Sequence, residues 1–248
     1  MSRPPSSDRS RCRTGAARVP LIAAAALALL PATARAQVHA PPAWRWSVSV
    51  TGGFVVWPDA LWNAVDAALQ AGNWGSLGAG CGFLNCRSPS DVATESRIAP
   101  TVTARYHLRA GLALRALASW VRPGLYPASN ASFSAEVRPS VVTLGVQAAL
   151  EAGPLWIAAG PSLNRGLVTV NGPLTDNTAT GISPGFVVGA GIDYPRHQKM
   201  FVAVSIERRF ASSVDLPATP VAGAAQPVPA MSVPLSLTLL TFGVGWHF

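Results

Sequence analysis

Eight stretches of the chain alternate apolar and polar residues with a period of two. They lie near 44–57, 98–108, 111–121, 140–151, 154–164, 185–194, 200–210 and 236–248. Successive side chains of a strand point to opposite faces, so this period predicts strands whose two faces meet different surroundings. One face is almost continuously apolar: Val48, Val50, Phe54 and Val56 in the first stretch, Leu112, Leu114, Ala116 and Trp120 in the third, Val142, Leu144, Val146 and Leu150 in the fourth, Val202, Val204 and Ile206 in the seventh. The other face is small or polar, as in Ser47, Ser49 and Thr51, or Gly189, Gly191 and Asp193. Long connections (58–97, 122–139, 165–184, 211–235) alternate with short ones (109–110, 152–153, 195–199). That rhythm predicts an all-β, up-and-down antiparallel barrel of about eight strands, with every elaborate loop at one end.

The apolar face can point in or out. A soluble barrel needs charged outward residues and bulky inward ones, whereas the non-apolar face here is rich in Gly, Ser and Thr. The apolar face therefore points outward, to lipid, and the barrel is predicted to be transmembrane. Such barrels carry aromatic girdles at both interfaces. With the N-terminus on the periplasmic side, Trp44, Trp46, Tyr106, Tyr194, Trp246 and Phe248 fall at the inner interface and Phe54, Trp120, Phe186 and Phe210 at the outer. The final strand ends on Phe242, Val244, Trp246 and Phe248, all on one face. Its terminal aromatics then sit at the inner interface, where closure against the first strand prevents fraying.

Parity turns Arg45, Arg105, Arg115, Glu151, Asp193, Glu207 and Arg209 inward. Isolated charges shielded from water are costly, so these residues are expected to pair and fill the lumen. Asp193 and Glu151 are the expected counter-ions of Arg45, Arg105 and Arg115, while Glu207 and Arg209 pair locally or across the barrel. Pro100, Pro139 and Pro161 fall in or beside strands, where proline removes a ladder donor. The second, fourth and fifth strands are therefore expected to bulge or to start late.

In the first long connection, Leu61, Ala64, Val65, Ala68 and Leu69 recur at helical spacing between Pro58-Asp59 and Gly72. This predicts a short amphipathic helix that covers the barrel mouth. The Pro- and Ala-rich fourth connection, DLPATPVAGAAQPVPAMSVP, is expected to be extended.

The first 36 residues have a basic leader, an apolar run from Val19 to Leu30 and an Ala34-Arg35-Ala36 site, which reads as a cleaved signal peptide before a barrel domain over 37–248. The run is too short for a membrane-spanning helix. Of 19 basic and 11 acidic residues, six and one leave with the leader, so the net charge falls from +8 to +3. Scattered single arginines and so small a charge argue against a nucleic-acid partner. Cys81 and Cys86, five positions apart in an exported chain, are expected to form a disulfide.

In signal peptide, strand meander, girdles and a last strand ending in Phe, the chain resembles the small outer-membrane β-barrels of Gram-negative bacteria, the eight-stranded OmpA/OmpX-like group. The resemblance implies an outer-membrane location with both termini periplasmic, surrounding lipids as partners, and recognition of Phe242, Val244, Trp246 and Phe248 by the barrel-assembly machinery. A monomer without metal or cofactor is expected, with a structural or loop-mediated binding role in the envelope. Two other classes fit the chain less well. A narrow channel for small or hydrophobic solutes conflicts with the filled lumens of eight-stranded barrels. A lipid-modifying enzyme needs a base beside a nucleophile, and His39, His107, His197 and His247 all fall near the periplasmic end, away from the loops.

Overall fold

The computed structural model describes residues 44–248 apart from 57–58, 77–79, 82–85, 88–98, 110, 131–132, 173–174, 197 and 223. The leader, its cleavage point, His39 and His197 lie outside the described residues.

Eight strands form a closed ring: β1 (Trp46–Val56), β5 (Thr101–Arg109), β6 (Leu112–Val121), β8 (Phe133–Ala152), β9 (Leu155–Gly172), β10 (Thr175–Tyr194), β11 (Met200–Phe210) and β14 (Leu237–His247). Every neighbour is antiparallel, and the order β8-β6-β5-β1-β14-β11-β10-β9 is closed by pairing of β9 with β8. First and last strands lie side by side, Val48 opposite Trp246 and Val50 opposite Val244. The backbone amide of Phe248 donates to the carbonyl of Trp46 at 2.8 Å, which pins the C-terminus. A closed ring leaves no edge strand, the condition for crossing a bilayer with strands.

The apolar face points out, as the pattern predicts. Val50, Leu114, Leu144, Leu150, Ile157, Ile192, Val202 and Phe242 are all exposed on the wall, and Ser47, Thr103, Thr143, Ser205 and Thr241 are buried inside it. Two aromatic bands bound this wall. Trp46 pairs with Tyr106, their ring centroids 4.7 Å apart, and Phe186 lies directly opposite Phe210. From Trp46 to Phe54, from Phe186 to Tyr194 and from Val202 to Phe210 the strand advances eight positions. That is about 26 Å of strand, or on the order of 20 Å along a tilted barrel's axis, close to the height of a bilayer-facing band. This is the wall of a transmembrane barrel.

Two expected loops are largely strand. Residues 122–139 hold β7 (Tyr126–Asn130) and the first part of β8, and residues 165–184 hold the distal parts of β9 and β10, joined near 173–174. Beyond the Phe54–Phe210 band the wall reverses its sense. Glu136 and Arg138 now face out, while Val137, Val141, Val168 and Val170 are buried inside. The alternation never stops; it changes sign where the barrel leaves the apolar layer.

The prolines act differently from one another. β5 starts late, just after Pro100, as expected, and β8 runs through Pro139, opposite Val168. At Pro161 the β8–β9 ladder lapses: Gly145 pairs with Ser162 and Ala148 with Ala159, but nothing pairs between them. The one bulge of β5 lies between His107 and Arg109, away from its proline.

The barrel mouth is closed by its loops. Helix α1 (Asp59–Ala71) ends with Asn73 in the left-handed region at φ 57°, its amide donating to Gln70 and that of Trp74 to Leu69, which is a Schellman stop. Leu61, Trp62, Val65 and Leu69 pack against Val55, Val121, Tyr126, Val137 and Val170 in one dry core. The hairpin of β12 (Ser213–Leu216) and β13 (Met231–Pro234) adds Val214, Leu216, Met231 and Val233 to that core. The Trp74 indole donates to the Pro227 carbonyl at 2.8 Å, tying the first long loop to the last.

Candidate functional site

The barrel interior gathers the charged residues, and its filling decides what can pass. At the end bearing the termini, Arg105 donates to Asp193 at 2.6 Å and to Glu151 at 3.1 Å. Glu151 also lies 3.2 Å from Nδ1 of His107 and is paired with Arg196. Arg196 further donates to the carbonyl of Gly153, and the Trp156 indole to Asp193 at 3.2 Å. The His247 ring packs against Phe201, centroids 4.6 Å apart.

One layer further in, Arg115 spans the lumen. It donates to Gln147 at 2.5 Å, to Glu207 at 2.7 Å and to Thr103 at 3.2 Å. Arg209 reaches the same Glu207 at 3.0 Å and bonds Ser119. The side chains of Arg115, Glu207 and Arg209 are 4%, 0% and 3% exposed, so two cations and one anion share a site closed to water. The Ser205–Thr241 hydrogen bond lies on the terminal side of Glu207, the Thr143–Asn164 hydrogen bond lies beside Ser119, and the dry core closes the lumen beyond Arg209.

Arg105 and Arg115 are direct cross-strand partners on β5 and β6. Like charges so placed repel, and each needs its own acid. Arg105 turns to the terminal end, to Asp193 and Glu151, and Arg115 turns across the barrel to Glu207. This corrects the expectation that Asp193 and Glu151 would serve Arg115 as well. Trp156 separates the two: the guanidinium carbons of Arg115 and Arg105 lie 4.5 Å and 5.3 Å from its ring. Arg45 is a further correction. It precedes the first strand residue and is exposed, so parity does not govern it.

Sequence reasoning missed Trp156 and Arg196. The signal for Trp156 was its own parity, facing inward between outward Leu155 and Ile157, together with Gly191 opposite it on β10. A Cβ at Gly191 would stand 2.5 Å from the indole, so the glycine makes its room. Gly245 likewise makes room for Phe201 across the β11–β14 pair. Arg196 sits in a turn, where no period applies.

The remaining expected residues fall as follows. Phe242, Val244 and Phe248 are exposed on the outer wall and Trp246 is half-buried there, between β1 and β11. Trp44, Trp46, Tyr106 and Tyr194 lie toward the terminal end, and Phe54, Trp120, Phe186 and Phe210 at the far band. Cys81 and Cys86 face one another in the backbone register of the short ladder β3 (Gly80–Cys81) and β4 (Cys86–Arg87). Their side chains lie outside the described residues.

No family model matches the chain. No curated protein matches it either. Solved structures do. The outer membrane protein OprG from Pseudomonas aeruginosa is 12% identical, covering 84% of this chain and 97% of that one, with a TM-score of 0.46. Neisserial surface protein A is 12% identical, covering 82% and 97%, at 0.39. The Escherichia coli outer membrane protein W is 15% identical, covering 84% and 99%, at 0.39. The proteins this chain is similar to are small outer-membrane barrels; the fold assignment itself stands on the closed ring and its apolar wall.

Proposed function

We propose that this protein is an outer-membrane barrel whose lumen is plugged by its own side chains, and whose role in the envelope is structural or a binding role of its loops. The observation that carries the reading is the Arg115–Glu207–Arg209 cluster, buried across the lumen and roofed by a continuous apolar core. A conducting path would have to break paired, dehydrated charges and then unpack that core, both costly steps. In this reading the termini are periplasmic, the capped end faces outward, residues 1–36 are the export signal, and the assembly machinery reads Phe242, Val244, Trp246 and Phe248. A monomer suffices, since the ring closes within one chain. Catalysis has little to work with: His107 is held by Glu151, and His247 lies against Phe201.

The test is conductance of the refolded full chain in planar bilayers, alongside a lipid-hydrolysis assay. Silent bilayers and no lipid turnover are expected. Steady single-channel currents whose ion selectivity changes in Arg115→Gln would overturn the plug in favour of a narrow channel, and lipid turnover would overturn the non-catalytic role.

A further inference from the structure

Just where the outer wall changes from apolar to polar, two arginines stand over a groove in that wall. The floor of the groove is made of small residues, Ala104 on β5 with Ala116 and Ala118 on β6, and its far side of Leu144, Pro161 and Leu163 on β8 and β9; the depression is open to the outside and measures about 560 Å³. It lies where the β8–β9 ladder lapses at Pro161. Methyl groups beside leucines leave the depression.

Beyond its upper end, past Trp120 and Val142 on the same outer face, stand Arg122 and Arg165. Arg122 follows Val121, which pairs with Val141, and Arg165 pairs with Val142. They flank β8 at nearly the same height, about 12 Å apart along the backbone from the strand spacing and rise, within reach of one phosphate for two extended side chains. Both are exposed, and the Arg122 guanidinium lies 4.6 Å over the ring of Trp120 in the outer aromatic band. The nearest outward carboxylate of β8, Glu136, lies six positions beyond Val142 and is taken by Arg138 at 2.7 Å. Two cations at headgroup depth above an acyl-sized apolar groove complement an anionic lipid.

From this charge complementarity we infer that the groove and Arg122–Arg165 bind one phosphorylated glycolipid of the outer leaflet, its phosphate on the arginines and an acyl chain along Ala116 and Ala118. The inference rests on the outer-membrane placement, with the capped end outward, and not on the state of the lumen. An outer-leaflet glycolipid is chosen over a phospholipid because the cations lie at the capped end of the wall.

The probe is bisphosphorylated lipid A, offered to the full chain in nanodiscs, with lipid retained after extraction into detergent read by native mass spectrometry. One retained lipid A per barrel is expected for the wild type and for Arg208→Gln, whose guanidinium lies over Phe210 on another part of the wall. Arg122→Gln with Arg165→Gln should lower retention on the order of tenfold, the loss of two surface cations from an anionic lipid. Ala116→Phe, which fills the groove and leaves both arginines, should lower it as well. Equal retention in the double arginine variant overturns the site, as does equal retention of dephosphorylated lipid A, preference for phosphatidylglycerol, or displacement by inorganic phosphate. Failure of the barrel to enter nanodiscs would overturn the membrane placement itself, an outcome distinct from an inserted barrel that retains no lipid.

Discussion

Glu207 is the residue on which the interior turns. Its side chain is 0% exposed and accepts from Arg115 and Arg209 together, so it compensates two cations that have left water. Removing one partner of such a group leaves an uncompensated charge, whereas replacing the whole set by apolar residues need not. Arg115→Ala is therefore expected to lower stability by about 3 kcal/mol, read as the urea midpoint of the detergent-folded protein. Arg115→Met combined with Glu207→Met and Arg209→Met should lose less. A single variant as stable as the wild type would show that water reaches this layer. Trp156 offers a second residue-scale test. In Gly191→Ala the new methyl meets the indole at 2.5 Å and the Val204 carbonyl at 2.6 Å, so a loss of about 1–3 kcal/mol is expected from overpacking. Gly52→Ala, with nothing within 4 Å of its new methyl, should be nearly neutral. Equal effects at the two positions would argue against a packed Trp156.

At the scale of the element, α1 is held by more than its apolar stripe. Asp66 is buried on the same face as Leu61, Trp62, Val65 and Leu69. It accepts from the Tyr126 hydroxyl at 2.6 Å and from Gln70 at 2.7 Å, and the Tyr126 ring stacks on Trp62 at 5.6 Å. A buried carboxylate that loses a donor costs about 1–3 kcal/mol, or more when charged. Tyr126→Phe should thus loosen the helix from the barrel mouth, seen as faster protease cleavage in the first long loop. Heat-modifiable migration of the barrel should stay unchanged, because the ring's ladder does not involve the helix. If cleavage is no faster, α1 is held by its apolar contacts alone. The helix was legible from Leu61, Val65 and Leu69 at helical spacing, but Trp62 and Asp66 were not. Which flank of a helix is covered depends on what wraps it, here Tyr126 from β7 and the β12–β13 hairpin.

Across the whole molecule, β14 is the closing strand and leads directly into the final aromatic, Phe248. Phe248 is exposed on the outer wall and its backbone is bonded to Trp46. Phe248→Asp places a charge at the edge of the apolar wall and at the point of ring closure. Reduced outer-membrane insertion with periplasmic aggregates is expected, measured as the heat-modifiable fraction in membrane extracts. Wild-type levels in that variant would count against both the closure role and the assembly signal.

Period two by itself determined the eight strands, their outward apolar face, the two aromatic bands and the inward charges other than Arg45, because a strand's side-chain direction is a local property of the backbone. It also carried the extra lengths of β8, β9 and β10. Those were hidden because apolar and polar faces exchange roles once a wall passes from lipid to water, so Glu136 and Arg138 read as loop when they are strand. Only the tertiary structure decided the pairing. Arg115 meets Glu207 from 92 positions away because the ring closes with a stagger between strands, and no local rule carries that stagger. The same holds for Trp156 between two guanidiniums, for Trp74 tied to Pro227, and for Arg122 and Arg165 brought to either side of β8. Each depends on which strands become neighbours and at what height, which is settled only when the last strand pairs with the first.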